Sequence, residues 1–269
     1  MNLRKTLFIL PNLFTLSSIF CGFEAMRRVA TAGTPEATPD RYYAAALLLV
    51  FAMFFDIVDG RVARMTRTQS AFGLQFDSLA DVVSFGVAPA LLTYRWALAG
   101  MGNLGAAACF VFLGCGAIRL ARFNVLAMRG EATPSRPGRY IVGLPIPGAA
   151  GMLIALVIAN HQAHLRIFAS SSIILALTLG LSALMVSTVR FRSFKDVRLG
   201  WRAASMIALA VGSSLAVART VGPGFALPWL LGCYITIGLV ESVVTFPRRH
   251  AARRAARAAG TTPPSDDGP

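Results

Sequence analysis

Four aspartates set the chemistry open to this chain. Asp56-Ile-Val-Asp59-Gly60-Arg61-Val62-Ala63-Arg64 closes one strongly apolar segment, and Gly73, Asp77 and Asp81 lead into the next. An ionised Asp well inside a bilayer costs roughly 2.5–3.5 kcal/mol on insertion scales. Four near one another therefore need something positive to collect them. Asp56 and Asp59 are spaced i, i+3 and Asp77 and Asp81 i, i+4, so on helices each pair shares one face. Two such helices facing each other would bring four carboxylates into one small volume, which suits a divalent cation held by hard oxygen ligands.

The elements that must position them are membrane helices. The chain of 269 residues is 55% hydrophobic and 14% charged, with a mean hydropathy of +0.62. That composition excludes an ordinary soluble domain and points to several spans. Eight apolar segments stand out, at about 8–26, 43–60, 78–98, 103–121, 147–163, 168–188, 203–219 and 225–246. The predicted fold is an all-α, polytopic bundle of about eight transmembrane helices. Residues 1–247 form one catalytic domain, and 248–269 a cytoplasmic tail, Arg-rich to Arg257 and then disordered from Gly260.

The net charge of +14 has a topological explanation. With the N-terminus taken as cytoplasmic, 20 of the 26 Lys and Arg residues fall on the inner side and six on the outer. This satisfies the positive-inside rule with both termini in the cytoplasm. The same distribution argues against nucleic acid as a partner and for contact with anionic membrane lipids. It also places the Asp motif at the cytoplasmic ends of the second and third segments. A bacterial-type inner membrane is the expected location.

Cys21, Cys109, Cys115 and Cys233 lie within apolar segments without a CxxC pair, so buried free thiols are expected. His161, His164 and His250 fall on loops or the tail, away from the motif. Arg4-Lys5, an apolar run and Ala30-Thr31-Ala32 imitate a secretory leader. Pro11, Asn12, Glu24, Arg27 and Arg28 interrupt it, and an uncleaved first helix is expected.

The pattern Asp-x2-Asp-Gly-x2-Ala-Arg-x8-Gly-x3-Asp-x3-Asp, filled here by Asp56, Asp59, Gly60, Ala63, Arg64, Gly73, Asp77 and Asp81, resembles the signature of the CDP-alcohol phosphotransferases. The resemblance implies that Asp56, Asp59 and Asp77 hold one ion, and Asp56, Asp77 and Asp81 a second. Mg2+ and Mn2+ both suit such a site. It further implies Asp81 as general base, and Gly60, Arg64 and Ser70 as contacts to the CDP moiety. A homodimer is implied in the same way.

Further blocks resemble the phosphatidylserine synthases of the CDP-diacylglycerol type. They are Pro11-Asn12-Leu-Phe-Thr15, Asp81-Val-Val-Ser-Phe-Gly-Val-Ala-Pro-Ala90, Arg119-Leu-Ala-Arg122-Phe-Asn124, Gly143-Leu-Pro-Ile-Pro147 and Ser193-Phe-Lys195. The implied reaction is CDP-diacylglycerol plus L-serine giving phosphatidylserine and CMP. Arg122 with Asn124 is expected to recognise serine or the diphosphate, with Arg192 and Lys195 on another loop within reach. A cytoplasmic Arg and a helix cap explain the pair equally well. Ser84 is expected either to orient Asp81 or to bond between helices.

Three other classes remain. A sister enzyme would use glycerol 3-phosphate or an inositol phosphate with the same cluster and a dedicated basic pocket. A cation transporter would need acidic groups near mid-membrane with access from both sides, whereas these four lie toward one face. A structural membrane protein leaves four costly carboxylates unexplained.

Overall fold

The computed structural model describes residues 3–32, 38–66, 68, 70–128, 140–163, 170–192 and 201–240. The tail 248–269, His164, His250 and Lys195 lie outside the described residues, as does the side chain of Arg192. Eight helices run through the described residues. They are α1 (Leu3–Ala30), α2 (Thr38–Thr66), α3 (Ala71–Met101) and α4 (Asn103–Met128), then α5 (Ile146–Ala163), α6 (Ser171–Val186), α7 (Trp201–Thr220) and α8 (Pro223–Val240).

Of these, α2, α3, α4 and α8 are long and apolar enough to cross a membrane, while α5, α6 and part of α7 are shorter apolar helices. The chain is an integral membrane protein, and its surface has the matching character. Leu13, Leu16, Phe20 and Phe23 on α1, Phe51 and Phe54 on α2, and Phe110 and Ile118 on α4 are all exposed. A contiguous apolar exterior of this kind faces lipid rather than water.

The core forms around α5. Ile146, Ala149, Ala150, Leu153, Ile154, Ala155 and Val157 are all buried, so this helix is apolar on every side and sits inside the bundle. Its neighbours include α2, α4 and α6. The first two helices pack along most of their length, through a stripe of buried residues on α1: Pro11, Thr15, Ser18, Gly22, Ala25 and Val29. Their alternating spacing of four and three keeps one face of α1 inward.

Two features depart from the sequence reading. The helices run past their apolar segments: α2 continues to Thr66, and α3 starts at Ala71 rather than near 78. Ser70 makes the early start possible, accepting the Gly73 N–H at 3.0 Å as an N-cap. At a rise of about 1.5 Å per residue, a helix as long as α2 outreaches the bilayer's apolar slab, so its polar end emerges. The second departure is a small antiparallel strand pair, β1 (Tyr140–Val142) with β2 (Arg190–Arg192), in the register Tyr140↔Arg192, Ile141↔Phe191 and Val142↔Arg190. It ties the approach to α5 to the exit from α6.

The cysteines are free; Cys21 and Cys109 are buried as expected, whereas Cys115 and Cys233 are only half-buried. His161 pairs with Asp40 at 2.9 Å and stacks on Tyr43 at a centroid distance of 4.3 Å. At the end of α1, Glu24 is neutralised by Arg27 at 2.7 Å and Arg28 at 3.0 Å.

Gly143 joins β1 to α5 at φ 77. Its N–H donates to the Val189 carbonyl at 2.7 Å, and a Cβ there would run into the Met185 carbonyl. Gly143→Ala is expected to destabilise the protein by about 1–3 kcal/mol. Gly148→Ala, where a Cβ meets only Leu144 Cδ1 at 3.8 Å, should be tolerated. Thermal unfolding of the two variants in detergent checks the contrast.

Candidate active site

The short connection between α2 and α3 folds the two acidic helix ends together. Asp56 and Asp59 lie one turn apart on α2, Asp77 lies on α3, and one carboxylate oxygen from each comes within 4.8 Å of the others. Asp81, a turn further along α3, lies close enough to Asp56 and Asp77 to interact with them electrostatically. Asp59 and Asp81 are buried, and Asp56 and Asp77 half-buried. The structure thus gathers all four sequence-predicted carboxylates.

None of them makes an ion pair among the described residues. Arg64 acts electrostatically on Asp59, and Arg119 on Asp81, without either closing to 4 Å. At an effective dielectric near 20, two ionised carboxylates about 5 Å apart repel by about 3 kcal/mol. Several such pairs in one corner amount to a large destabilisation. Asp81 Oδ1 is in addition buried without a hydrogen-bond partner, an acceptor aimed at nothing in the protein. Crowded hard oxygens, no ion pair among the described residues and an orphaned acceptor together fit a divalent metal ion.

Helix α1 braces this corner from behind. Thr15 Oγ1 donates to Asp59 Oδ2 at 2.7 Å, with the Pro11 carbonyl at 3.2 Å as its alternative acceptor. One turn on, Ser18 Oγ donates to Ser84 Oγ at 3.3 Å, and Ser84 Oγ to the Ser18 carbonyl at 3.1 Å. A Cβ on Gly22 would stand 3.1 Å from Ser84 Cα, so glycine allows the two backbones to approach. Ser84 therefore bonds between helices. It lies in a π-helical stretch, Val82–Val87, that begins directly after Asp81. Such stretches recur at functional sites because the extra residue re-aims the side chains around it.

The sequence model of the CDP-alcohol phosphatidyltransferases matches residues 8–189, which include the whole Asp cluster and its α1 brace. The chain belongs to this family. Several curated relatives carry the name CDP-diacylglycerol–serine O-phosphatidyltransferase. The one from Helicobacter pylori J99 is 38% identical over 87% of this chain and 91% of its own length. That from Mycobacterium leprae is 31% identical over 93% and 84%, and that from Bacillus subtilis 32% over 69% and 91%.

The remaining expected site residues of this CDP-alcohol phosphatidyltransferase divide by placement. Gly60 adjoins Asp59, and a Cβ there would meet Arg64 Nη1 at 3.5 Å; Arg64 itself is exposed. Ser70 is exposed at the start of α3, with its hydroxyl accepting from Gly73. Asn124 is buried, and its Nδ2 donates to Ser78 Oγ at 2.9 Å and Gln75 Oε1 at 3.2 Å. It thus clasps α4 to α3 beside the acidic cluster. Arg122 is exposed.

Sequence reasoning quoted Thr15 within a block but gave it no role. The available signal was the spacing of Thr15, Ser18 and Gly22, small or hydroxyl residues on one helical stripe. Thr15→Val is expected to weaken divalent-cation binding about tenfold, since groups that orient metal ligands carry effects of this size, and Thr15→Ser should restore it. Titration of purified protein with Mn2+, followed by electron paramagnetic resonance, measures this without any turnover.

Proposed function

We propose that this protein transfers the phosphatidyl group of CDP-diacylglycerol to the hydroxyl of L-serine, giving phosphatidylserine and CMP. The observation that carries the reading is the cluster of four carboxylates on α2 and α3, without an ion pair among the described residues and beside an apolar exterior. A liponucleotide needs such a place: acyl chains in lipid, diphosphate at the interface, cytidine in water. The names of the relatives supply the acceptor.

Asp56, Asp59 and Asp77 would hold one divalent ion and Asp56, Asp77 and Asp81 a second, Mg2+ or Mn2+. Bound ions supply neutralisation of the diphosphate and polarisation of its phosphorus–oxygen bonds. Gly60, Arg64 and Ser70 line the approach for the CDP moiety, with Arg64 offering its planar fork to phosphate. Arg122, exposed beyond the Asn124 clasp, would meet the serine or the diphosphate as it enters. Asp81 takes the proton of the serine hydroxyl as that oxygen bonds to the β-phosphorus. The bond from that phosphorus to the CMP oxygen breaks, and CMP leaves with the electron pair.

Residues 1–247 form the catalytic domain in this reading. The Asp cluster and both termini face the cytoplasm, the membrane is a bacterial-type inner membrane, and the protein works as a homodimer. The positive-inside distribution of Lys and Arg supports the orientation.

The test is purified protein in detergent with CDP-diacylglycerol and labelled L-serine, glycerol 3-phosphate or inositol phosphate in turn. Phosphatidylserine and CMP are expected in equal amounts with Mg2+ or Mn2+, and neither after chelation. Asp81→Asn should lower kcat by about 10²–10⁴-fold, the usual contribution of a general base. Preferential use of a phosphorylated alcohol would move the protein to a sister activity, and no CMP release with any acceptor would refute the reading.

A further inference from the structure

The register of α3 against α4 selects one basic side chain beside the reacting centre. The two helices join through a short turn at Gly102 and run antiparallel, with Asn124 opposite Ser78 and Gln75. Going deeper into the bundle, α3 reaches Asp81 while α4 reaches Arg119. Asp81 and Tyr234, the latter on α8, are the titratable groups that act electrostatically on Arg119.

Arg119 has no hydrogen bond or ion pair among the described residues, and its Nε is buried without a partner. Among the described residues, the other guanidinium groups near this end of the bundle, those of Arg61, Arg64 and Arg122, are exposed. A guanidinium carries five donors in a fixed planar fork and cannot shed its charge in a protein. The residue is half-buried, and leaving its Nε buried and unpaired is costly. Asp81 does not close to an ion pair, so the donors remain free for something that enters the site.

We propose that Arg119 binds the carboxylate of the amino-acid acceptor and thereby holds the acceptor hydroxyl over Asp81. This rests on the reading of serine as the acceptor and names the group that recognises it. In serine only Cα and Cβ separate the carboxyl carbon from the hydroxyl. A carboxylate forked on Arg119 thus keeps the hydroxyl on the same side of the cluster as Asp81. The donor diphosphate belongs to the other corner, where Asp56, Asp59 and Asp77 converge beside Arg64. A single half-buried guanidinium, the one such group beside Asp81 among the described residues, also matches a monoanionic carboxylate. A phosphorylated alcohol carries about twice that charge at neutral pH and calls for more than one cation at this depth.

The experiment uses the full-length protein in detergent micelles, wild type beside Arg119→Gln and Arg119→Lys. It measures separate Michaelis constants for L-serine and CDP-diacylglycerol, and turnover of L-serinamide, in which the carboxylate is a neutral amide. Arg119→Gln is expected to raise the KM for serine about 10–100-fold, the loss of a charge-assisted pair. The KM for CDP-diacylglycerol should stay within about twofold, below what loss of any phosphate contact would cause. Wild type should prefer serine to serinamide strongly, and Arg119→Gln should lose that preference. Arg119→Lys, which keeps the charge without the fork, should lie between. Thermal unfolding reports whether each variant folds; if Arg119→Gln does not, the same two readouts on Arg119→Lys decide.

An unchanged KM for serine, or an undiminished preference for serine over serinamide, overturns the proposal. A rise confined to CDP-diacylglycerol overturns it in favour of a phosphate contact. A wild-type protein that makes no phosphatidylserine overturns the acceptor reading itself, and that result is distinct from any change seen only in the Arg119 variants.

Discussion

The mutual repulsion of four carboxylates is the constraint on which this structure turns. Asp56, Asp59, Asp77 and Asp81 converge where two helices emerge from an apolar bundle, and no ion pair among the described residues relieves them. A protein gains no stability from such an arrangement by itself. The corner persists because the rest of the bundle over-determines it, and it becomes useful once a multivalent cation and a diphosphate supply the opposing charges.

The supporting architecture answers that constraint element by element. α5, apolar all round, fills the middle of the bundle and fixes the positions of its neighbours. α1 presents Thr15 to Asp59 and Ser18 to the π-helical turn after Asp81, so a single helical stripe holds a carboxylate of α2 directly and fixes the backbone of α3 just beyond Asp81. On the opposite side, Asn124 locks α4 onto α3 through Ser78 and Gln75. That lock sets the depth of Arg119. The exterior Phe and Leu residues keep the assembly at the lipid boundary, where a substrate with acyl chains and a water-soluble headgroup is encountered.

Much of the site was legible in the sequence, because i, i+3 and i, i+4 spacing determines which residues share a helical face. The four aspartates, the helical class and the eight segments all follow from such local rules. Helix ends were less legible. The apolar run of α2 fades at Gly60, yet its backbone hydrogen bonding continues to Thr66, and a Ser70 cap lets α3 begin before its apolar stretch. The choice between Arg119 and Arg122 was not legible either. Both belong to the same block and, spaced i, i+3, share a side of α4, but Arg119 lies a turn deeper and is half-buried while Arg122 is exposed. Only the packing of that helix against α3 shows which one turns inward. The π-helical stretch after Asp81 shifts the phase of α3 in a way no periodicity reveals, and the short β1–β2 pair depends on partners far apart in sequence.

The carboxylate corner is, as proposed, a metal centre at which phosphatidyl transfer takes place. Anomalous X-ray scattering from crystals soaked in Mn2+ addresses that claim most directly. Mn2+ density is expected in the volume bounded by Asp56, Asp59, Asp77 and Asp81, and it should vanish in Asp77→Asn. Phosphatidylserine formation by a protein whose only Mn2+ density lies elsewhere, or by one with none at all, would contradict the account.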